Sequence, residues 1–143
     1  MAACESGSRR IAGRERIMTP RGWQVLVADD DPTVALLMRA ALSAPEFVLT
    51  LVNDGTAAWD EFSRSMFDLI LLDVEMPEMD GLAVCEAIRA SQQSQVPVVL
   101  ITGHDEPAFV ERAKALRADY MVKPVDWSSL AARLREILSA AKP

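Results

Sequence analysis

Short, almost wholly apolar runs alternate along this chain with longer stretches whose apolar residues recur every three or four positions. The first pattern fits strands buried on both faces, and the second fits amphipathic helices. WQVLVA (23–28) reads as a strand, and PTVALLMRAALS (32–43) as a helix with apolar positions at 34, 37, 38, 41 and 42. FVLTLV (47–52) follows as a strand, then DGTAAWDEFSRS (54–65) as a helix with Ala58, Trp59 and Phe62 inward. FDLILLD (67–73) is a strand, and DGLAVCEAIRAS (80–91) a helix with Leu82, Cys85 and Ile88 on one face. VPVVLIT (96–102), EPAFVERAKALR (106–117), YMV (120–122) and SSLAARLREILSAA (128–141) complete a strand, helix, strand, helix sequence. In the last helix Leu130, Leu134, Ile137 and Leu138 form one stripe. Asp31 before Pro32 suits an N-cap followed by proline in the first helical turn.

Five strands alternating with five helices, joined by short connections, predict a parallel sheet covered on both faces. Right-handed crossovers make it an open, doubly wound α/β sandwich. The pattern divides the chain into a leader over 1–22 and one domain over 23–141, with no internal repeat. The leader is rich in Arg, Ser, Gly and Ala, lacks a secretory apolar core and reads as disordered. Its Arg content resembles a transit peptide, which Glu5 and Glu15 argue against, and Met18 is an alternative start.

Charge sharpens this division. Arg9, Arg10, Arg14, Arg16 and Arg21 against Glu5 and Glu15 give residues 1–21 a net +3, leaving −9 for the rest of a chain of net −6. An acidic body argues against non-specific nucleic-acid binding. No helix-turn-helix or basic recognition helix is visible, so direct DNA binding is not expected. No apolar run approaches the roughly 18 residues of a membrane span. Cys4 and Cys85 have neither metal-site spacing nor a disulfide framework, and a cytoplasmic setting is expected.

The chemistry gathers at the carboxyl ends of the strands, where doubly wound sheets bind ligands. Strand 1 ends in Asp29 and Asp30, strand 3 in Asp73, strand 4 in Thr102 and Gly103; Lys123 and Pro124 follow strand 5. Two carboxylates about 4 Å apart repel by about 4 kcal/mol at an effective dielectric near 20. A compensating cation is therefore expected: Mg²⁺, which takes a few carboxylates, keeps waters and binds phosphate oxygens. Lys123 adds a further positive charge, and Asp31 turns away to cap the first helix. A carboxylate in such a cup suits nucleophilic attack on phosphorus, with the metal and lysine neutralising the transferring oxygens. The Thr102 hydroxyl suits one phosphoryl oxygen, with Gly103 leaving room.

VLVADDDP, DLILLDVEMPEMDGL, VVLITGHDE and YMVKPVD, in this order and spacing, resemble the receiver domain of two-component response regulators from about residue 23 to 141. The resemblance implies a flavodoxin-like, CheY-like fold with strand order 2-1-3-4-5, working as a phosphorylation-dependent switch. Asp73 would be the phosphoacceptor. Asp29, Asp30 and Asp73 would form the metal site with the backbone carbonyl of Glu75. Thr102 and Tyr120 would be the switch pair, Lys123 the site lysine, and Lys123–Pro124 a candidate cis peptide. The implied partners are a sensor histidine kinase or histidine phosphotransferase and a downstream protein, with no membrane. The domain is expected to be a monomer or weak dimer that catalyses only its own phosphorylation and dephosphorylation. The readout face would be helix 4, strand 5 and helix 5.

The chain departs from the family pattern at several points. Glu75 adds a carboxylate two residues after the acceptor, ALRADY lacks the usual glycine, and Val125 then Trp127 replace the usual phenylalanine. Taken singly, these residues also have plainer readings. The acidic pair suits a helix N-terminus, Tyr120 and Cys85 suit the core, and MPEMDG suits a turn in which Pro77 stiffens, Asp80 caps and Gly81 eases the backbone. His104 reads as a surface loop residue. DDDPT (29–33) also fits the opening of haloacid dehalogenase-type phosphatases, with Asp29 as nucleophile and Asp31 as acid/base. That reading needs a later acidic pair, for which only Asp126 is near, and leaves LLDVEMP unexplained. A receiver-like module that signals without phosphate is the third reading.

Overall fold

A computed structural model describes residues 22–92, 95–103 and 105–141. The expected leader (1–22, all but its last residue) and His104 lie outside the described residues. Five strands and five helices alternate: β1 (Trp23–Ala28), α1 (Pro32–Ala41), β2 (Phe47–Val52), α2 (Gly55–Arg64), β3 (Leu69–Asp73), α3 (Gly81–Arg89), β4 (Val98–Thr102), α4 (Pro107–Ala115), β5 (Asp119–Val122) and α5 (Leu130–Ala141). The strands form one parallel sheet in the order β2-β1-β3-β4-β5.

The two-residue period of the strands sorts their side chains into two layers. Val25, Val27, Leu69, Leu71, Val99 and Ile101 face α1 and α5, meeting Met38, Leu42, Leu130, Leu134, Ile137 and Leu138. Leu26, Ala28, Ile70, Leu72, Val98 and Leu100 face the other way, onto Ala58, Phe62, Val84, Cys85, Ile88 and Ala113 of α2, α3 and α4. Both faces of β3 and β4 are buried along their whole length, which explains their unbroken apolar runs. Val125 and Trp127 pack against the α1/α5 layer.

Three helices start at a carboxylate cap. Asp31, Asp54 and Asp80 accept the backbone N–H of Thr33, Ala57 and Ala83 at 2.9, 2.7 and 2.8 Å, satisfying donors that a helix start leaves open. Asp80 is the cap its turn sequence suggests, while Asp54 stands just outside a helix whose expected run begins with it. Other boundaries shift for local reasons. Asp126 accepts both the N–H and the hydroxyl of Ser128, so a turn occupies the start of the expected last helix. Pro97 delays β4 by two residues relative to its apolar run, since it has no N–H for the ladder.

α4 ends at Ala115 because Arg117 takes a left-handed φ of 55°. The N–H of Ala118 reaches back to Ala113 and that of Arg117 to Lys114, both at 2.9 Å. This is a Schellman closure with arginine where glycine is usual. In α1, Leu37 belongs to the apolar pattern yet is 39% exposed, and Leu36 is 69% exposed. The inward stripe of that helix is narrower than the spacing predicts. Among the described residues, no helix is long and apolar enough to cross a membrane.

Candidate functional site

Sheet register assembles the site. Ala28 pairs with Leu72, so the next residues, Asp29 and Asp73, stand level. Asp73 pairs with Ile101, which puts Thr102 one step further on, and Thr102 pairs with Val122, directly before Lys123. Four strand ends thus bring together five of the predicted residues: Asp29, Asp30, Asp73, Thr102 and Lys123. Lys123–Pro124 is cis, as the resemblance implied, and so is Ala44–Pro45.

Asp73 is 2% exposed, Thr102 1% and Asp29 6%, whereas Asp30 faces solvent. The Lys123 ammonium donates to Asp73 Oδ1 at 2.9 Å, and the Glu75 N–H donates to the same oxygen at 3.3 Å. Asp29 Oδ1 accepts the Asp31 N–H at 2.9 Å, while Asp29 Oδ2 is buried without a hydrogen-bond partner. Asp29, Asp30 and Asp73 each offer a carboxylate oxygen, all within 4.8 Å of one another. A buried oxygen without a donor, in an all-oxygen cluster, is what a hard cation would satisfy. The donor set therefore fits Mg²⁺.

The electrostatics follow from burial. Desolvation pushes the Asp29 pKa up to about 6, with help from the Asp73 and Asp30 charges and against the Asp31 N–H and Lys123. Desolvation also raises Asp73, which Lys123 partly counteracts. For Lys123 burial favours the neutral form, but the Asp73 hydrogen bond and charge, with Asp29 and Glu75, outweigh it and raise the pKa. Even with its lysine, the cup holds more negative charge than its own donors balance.

The surrounding loop differs in detail from its expected form. In VEMPEMDG the left-handed residue is Glu78, at φ 72°, rather than a glycine. Gly81 serves a close approach instead: a Cβ there would lie 2.5 Å from the Asp73 carbonyl oxygen. A Cβ at Gly103 would meet no atom within 4 Å, so the protein's own packing does not require that glycine.

Tyr120 is half-buried on β5, beside the α2/α3/α4 layer. Its ring meets Phe109 of α4 edge-on, with centroids 5.8 Å apart and planes at 87°. The sequence reading did not single out Phe109; its spacing marks only a helical apolar position. It also missed the reach of the Glu75 side chain. Glu75 Oε2 accepts from the Thr102 hydroxyl at 3.5 Å, and Oε1 lies 3.7 Å from the Lys123 ammonium.

Known proteins with this fold carry the same stretch of chain. The chain is 34% identical over 123 residues to the transcriptional regulatory protein ZraR of Escherichia coli K12, covering 85% of this chain and 28% of ZraR. It is 37% identical over 123 residues to the response regulator MprA of Mycobacterium leprae, covering 84% of this chain and 53% of MprA. It thus spans about a quarter to a half of these relatives. The signal receiver domain of a signal transduction histidine kinase from Syntrophus aciditrophicus superposes with a TM-score of 0.76 at 32% identity, covering 85% of this chain and 93% of that domain. The receiver domain of the Francisella response regulator 1452 does so with a TM-score of 0.77 at 27% identity, covering 85% and 100%. The family model of the response regulator receiver domain matches residues 25–135, and the chain belongs to that family of two-component signalling domains.

Proposed function

We propose that this domain is a phosphorylation-dependent switch in which Asp73 accepts a phosphoryl group from a phosphohistidine. The observation that carries the reading is the buried Asp73 carboxylate held 2.9 Å from the Lys123 ammonium, with the Thr102 hydroxyl on the neighbouring strand end. An Asp73 oxygen attacks phosphorus, the bond from phosphorus to the donor breaks, and the donor leaves with the electron pair. Lys123 neutralises charge on the acceptor side. Thr102, buried and one strand over, donates to a phosphoryl oxygen.

Asp29, Asp30 and Asp73, with the backbone carbonyl of Glu75, would hold Mg²⁺. When bound, the ion neutralises phosphoryl oxygens and offsets repulsion among the acids. Asp29 Oδ2, buried without a donor, supports this assignment.

Movement of Thr102 toward the phosphoryl group would open space for Tyr120, coupling the site to the α4–β5–α5 face. That face would engage a downstream protein, and a sensor histidine kinase or histidine phosphotransferase would supply the phosphate. The only reaction on this reading is the domain's own phosphorylation and dephosphorylation. The phosphatase reading is disfavoured because Asp126, its nearest later acid, caps the turn into α5 through Ser128.

Intact mass after incubation with Mg²⁺ and acetyl phosphate tests the proposal on wild type and Asp73→Asn. One base-labile phosphate on wild type, absent from the variant, is expected. No label despite bound Mg²⁺ would favour a phosphate-independent module. Label that persists in Asp73→Asn and is lost in Asp29→Asn would bring back the phosphatase.

A further inference from the structure

The Glu75 carboxylate touches two groups that the proposed transfer needs. One oxygen takes the Thr102 hydroxyl at 3.5 Å, and the other faces the Lys123 ammonium at 3.7 Å. Its backbone N–H lies on Asp73 Oδ1 at 3.3 Å, so the main chain anchors Glu75 beside the acceptor while its side chain folds across the site. A phosphoryl group on Asp73 would present anionic oxygens to the same hydroxyl and the same ammonium. We infer that the Glu75 carboxylate is an internal stand-in for the phosphoryl group: it occupies Thr102 and Lys123 in the unmodified protein and must swing out before a phosphodonor engages them. This deepens the reading of Asp73 as phosphoacceptor and rests on it.

Three observations support displacement rather than a fixed structural role. Each carboxylate oxygen is assigned to a different donor, the two-point pattern that a phosphoryl group would replace. Both of these contacts are long, so each is weak beside the bonds a phosphoryl oxygen would make to the same donors. The Glu75 side chain is 47% exposed, so solvent lies open to it once it rotates away. Thr102 is buried and cannot retreat in the same way. A negative charge at this position also repels an incoming anionic donor. Competition of this kind weakens donor engagement more than the chemical step. It should therefore appear in the donor concentration giving half-maximal rate, not in the limiting rate.

The test compares wild type, Glu75→Gln and Glu75→Asp. Gln keeps the shape without the charge. Asp keeps the charge but is one methylene too short to reach both donors. Phosphorylation by acetyl phosphate with Mg²⁺ is followed over a range of donor concentrations. Affinity for beryllofluoride, a phosphoryl analogue, is measured separately by calorimetry in the presence of Mg²⁺. Both variants are expected to need about tenfold less donor for half-maximal rate and to bind beryllofluoride about tenfold more tightly, the ratio that about 1.4 kcal/mol gives. If Gln shows the gain and Asp behaves as wild type, charge alone is responsible and the stand-in is overturned. Equal behaviour of all three on a wild type that is labelled at Asp73 overturns the Glu75 role and leaves the acceptor intact. If none of the three takes phosphate or beryllofluoride, the acceptor assignment fails and the stand-in fails with it.

Discussion

Lys123 and Asp73 lie 50 residues apart in sequence and 2.9 Å apart in space, at the ends of β5 and β3 with β4 between them. The pair is asymmetric: Asp73 is almost fully buried, while Lys123 remains 37% exposed. Desolvation, helped by the Glu75 charge, already raises the Asp73 pKa against the pull of Lys123, and removing the lysine should raise it further. Lys123→Met should therefore lower stability at pH 7 by about 1–3 kcal/mol, toward the low end because one partner reaches solvent. The deficit should shrink as pH falls through the raised titration of Asp73, because the protonated carboxyl no longer needs the ammonium. Urea melts of both proteins at pH 4 and pH 7 measure this, and a deficit independent of pH would refute it.

Asp29 makes a second pH prediction, of opposite sign to that of a salt-bridged acid. Its folded pKa of about 6 lies above the ordinary value of 3.8. Between those values the folded protein keeps a proton that the unfolded chain has lost. This contribution is therefore full below about pH 4, declines as pH rises to about 6, and is flat above. Asp29→Asn should flatten that slope and be more stable than wild type at pH 7 without metal, as seen in thermal melts. Mg²⁺ held at the proposed site would favour the ionised acids and narrow the difference. A ligand at ten times its Kd stabilises by about 1.4 kcal/mol. An Asn variant that melts below wild type at pH 7 without metal would contradict the prediction.

The strand ends were legible in the sequence because buried parallel strands write themselves as unbroken apolar runs, and those runs stop at the first polar residue. Asp29, Asp73 and Thr102 are those stops, so register alone brings them together. Side-chain reach was not legible. That Glu75 contacts Thr102 and Lys123 depends on a rotamer and on loop geometry that spacing does not encode. The exposure of Leu37 was hidden for a related reason: periodicity gives a helix face, but its width depends on the neighbouring strands. ALRADY lacks the usual glycine, yet only the structure shows that Arg117 adopts the glycine conformation.

Arg89, another residue outside the sequence reading, ties three segments together. At the end of α3 its guanidinium donates to the carbonyls of Leu116 at 2.6 Å, Val96 at 2.7 Å and Arg117 at 3.0 Å. These are carbonyls after α4 and before β4, and a planar fork fits them as an ammonium cannot. Arg89→Lys should cost about 2–3 kcal/mol, since at least two carbonyls lose a charge-assisted bond. Denaturant unfolding measures it. A loss under about 0.5 kcal/mol would mean that water replaces the guanidinium at no cost.

The same turn yields a stabilising substitution. Arg117 holds φ at 55°, in the region where a Cβ crowds the backbone and glycine does not. Arg117→Gly should raise stability by about 1 kcal/mol. Removing the side chain also removes a positive charge that acts on Arg89, so the gain needs a control. Arg117→Ala loses the same charge but keeps the Cβ. A gain in Gly with none in Ala assigns the effect to the backbone. Equal gains would assign it to relief of the Arg89–Arg117 repulsion, and no gain in either would mean that the Schellman closure already accommodates the arginine without strain.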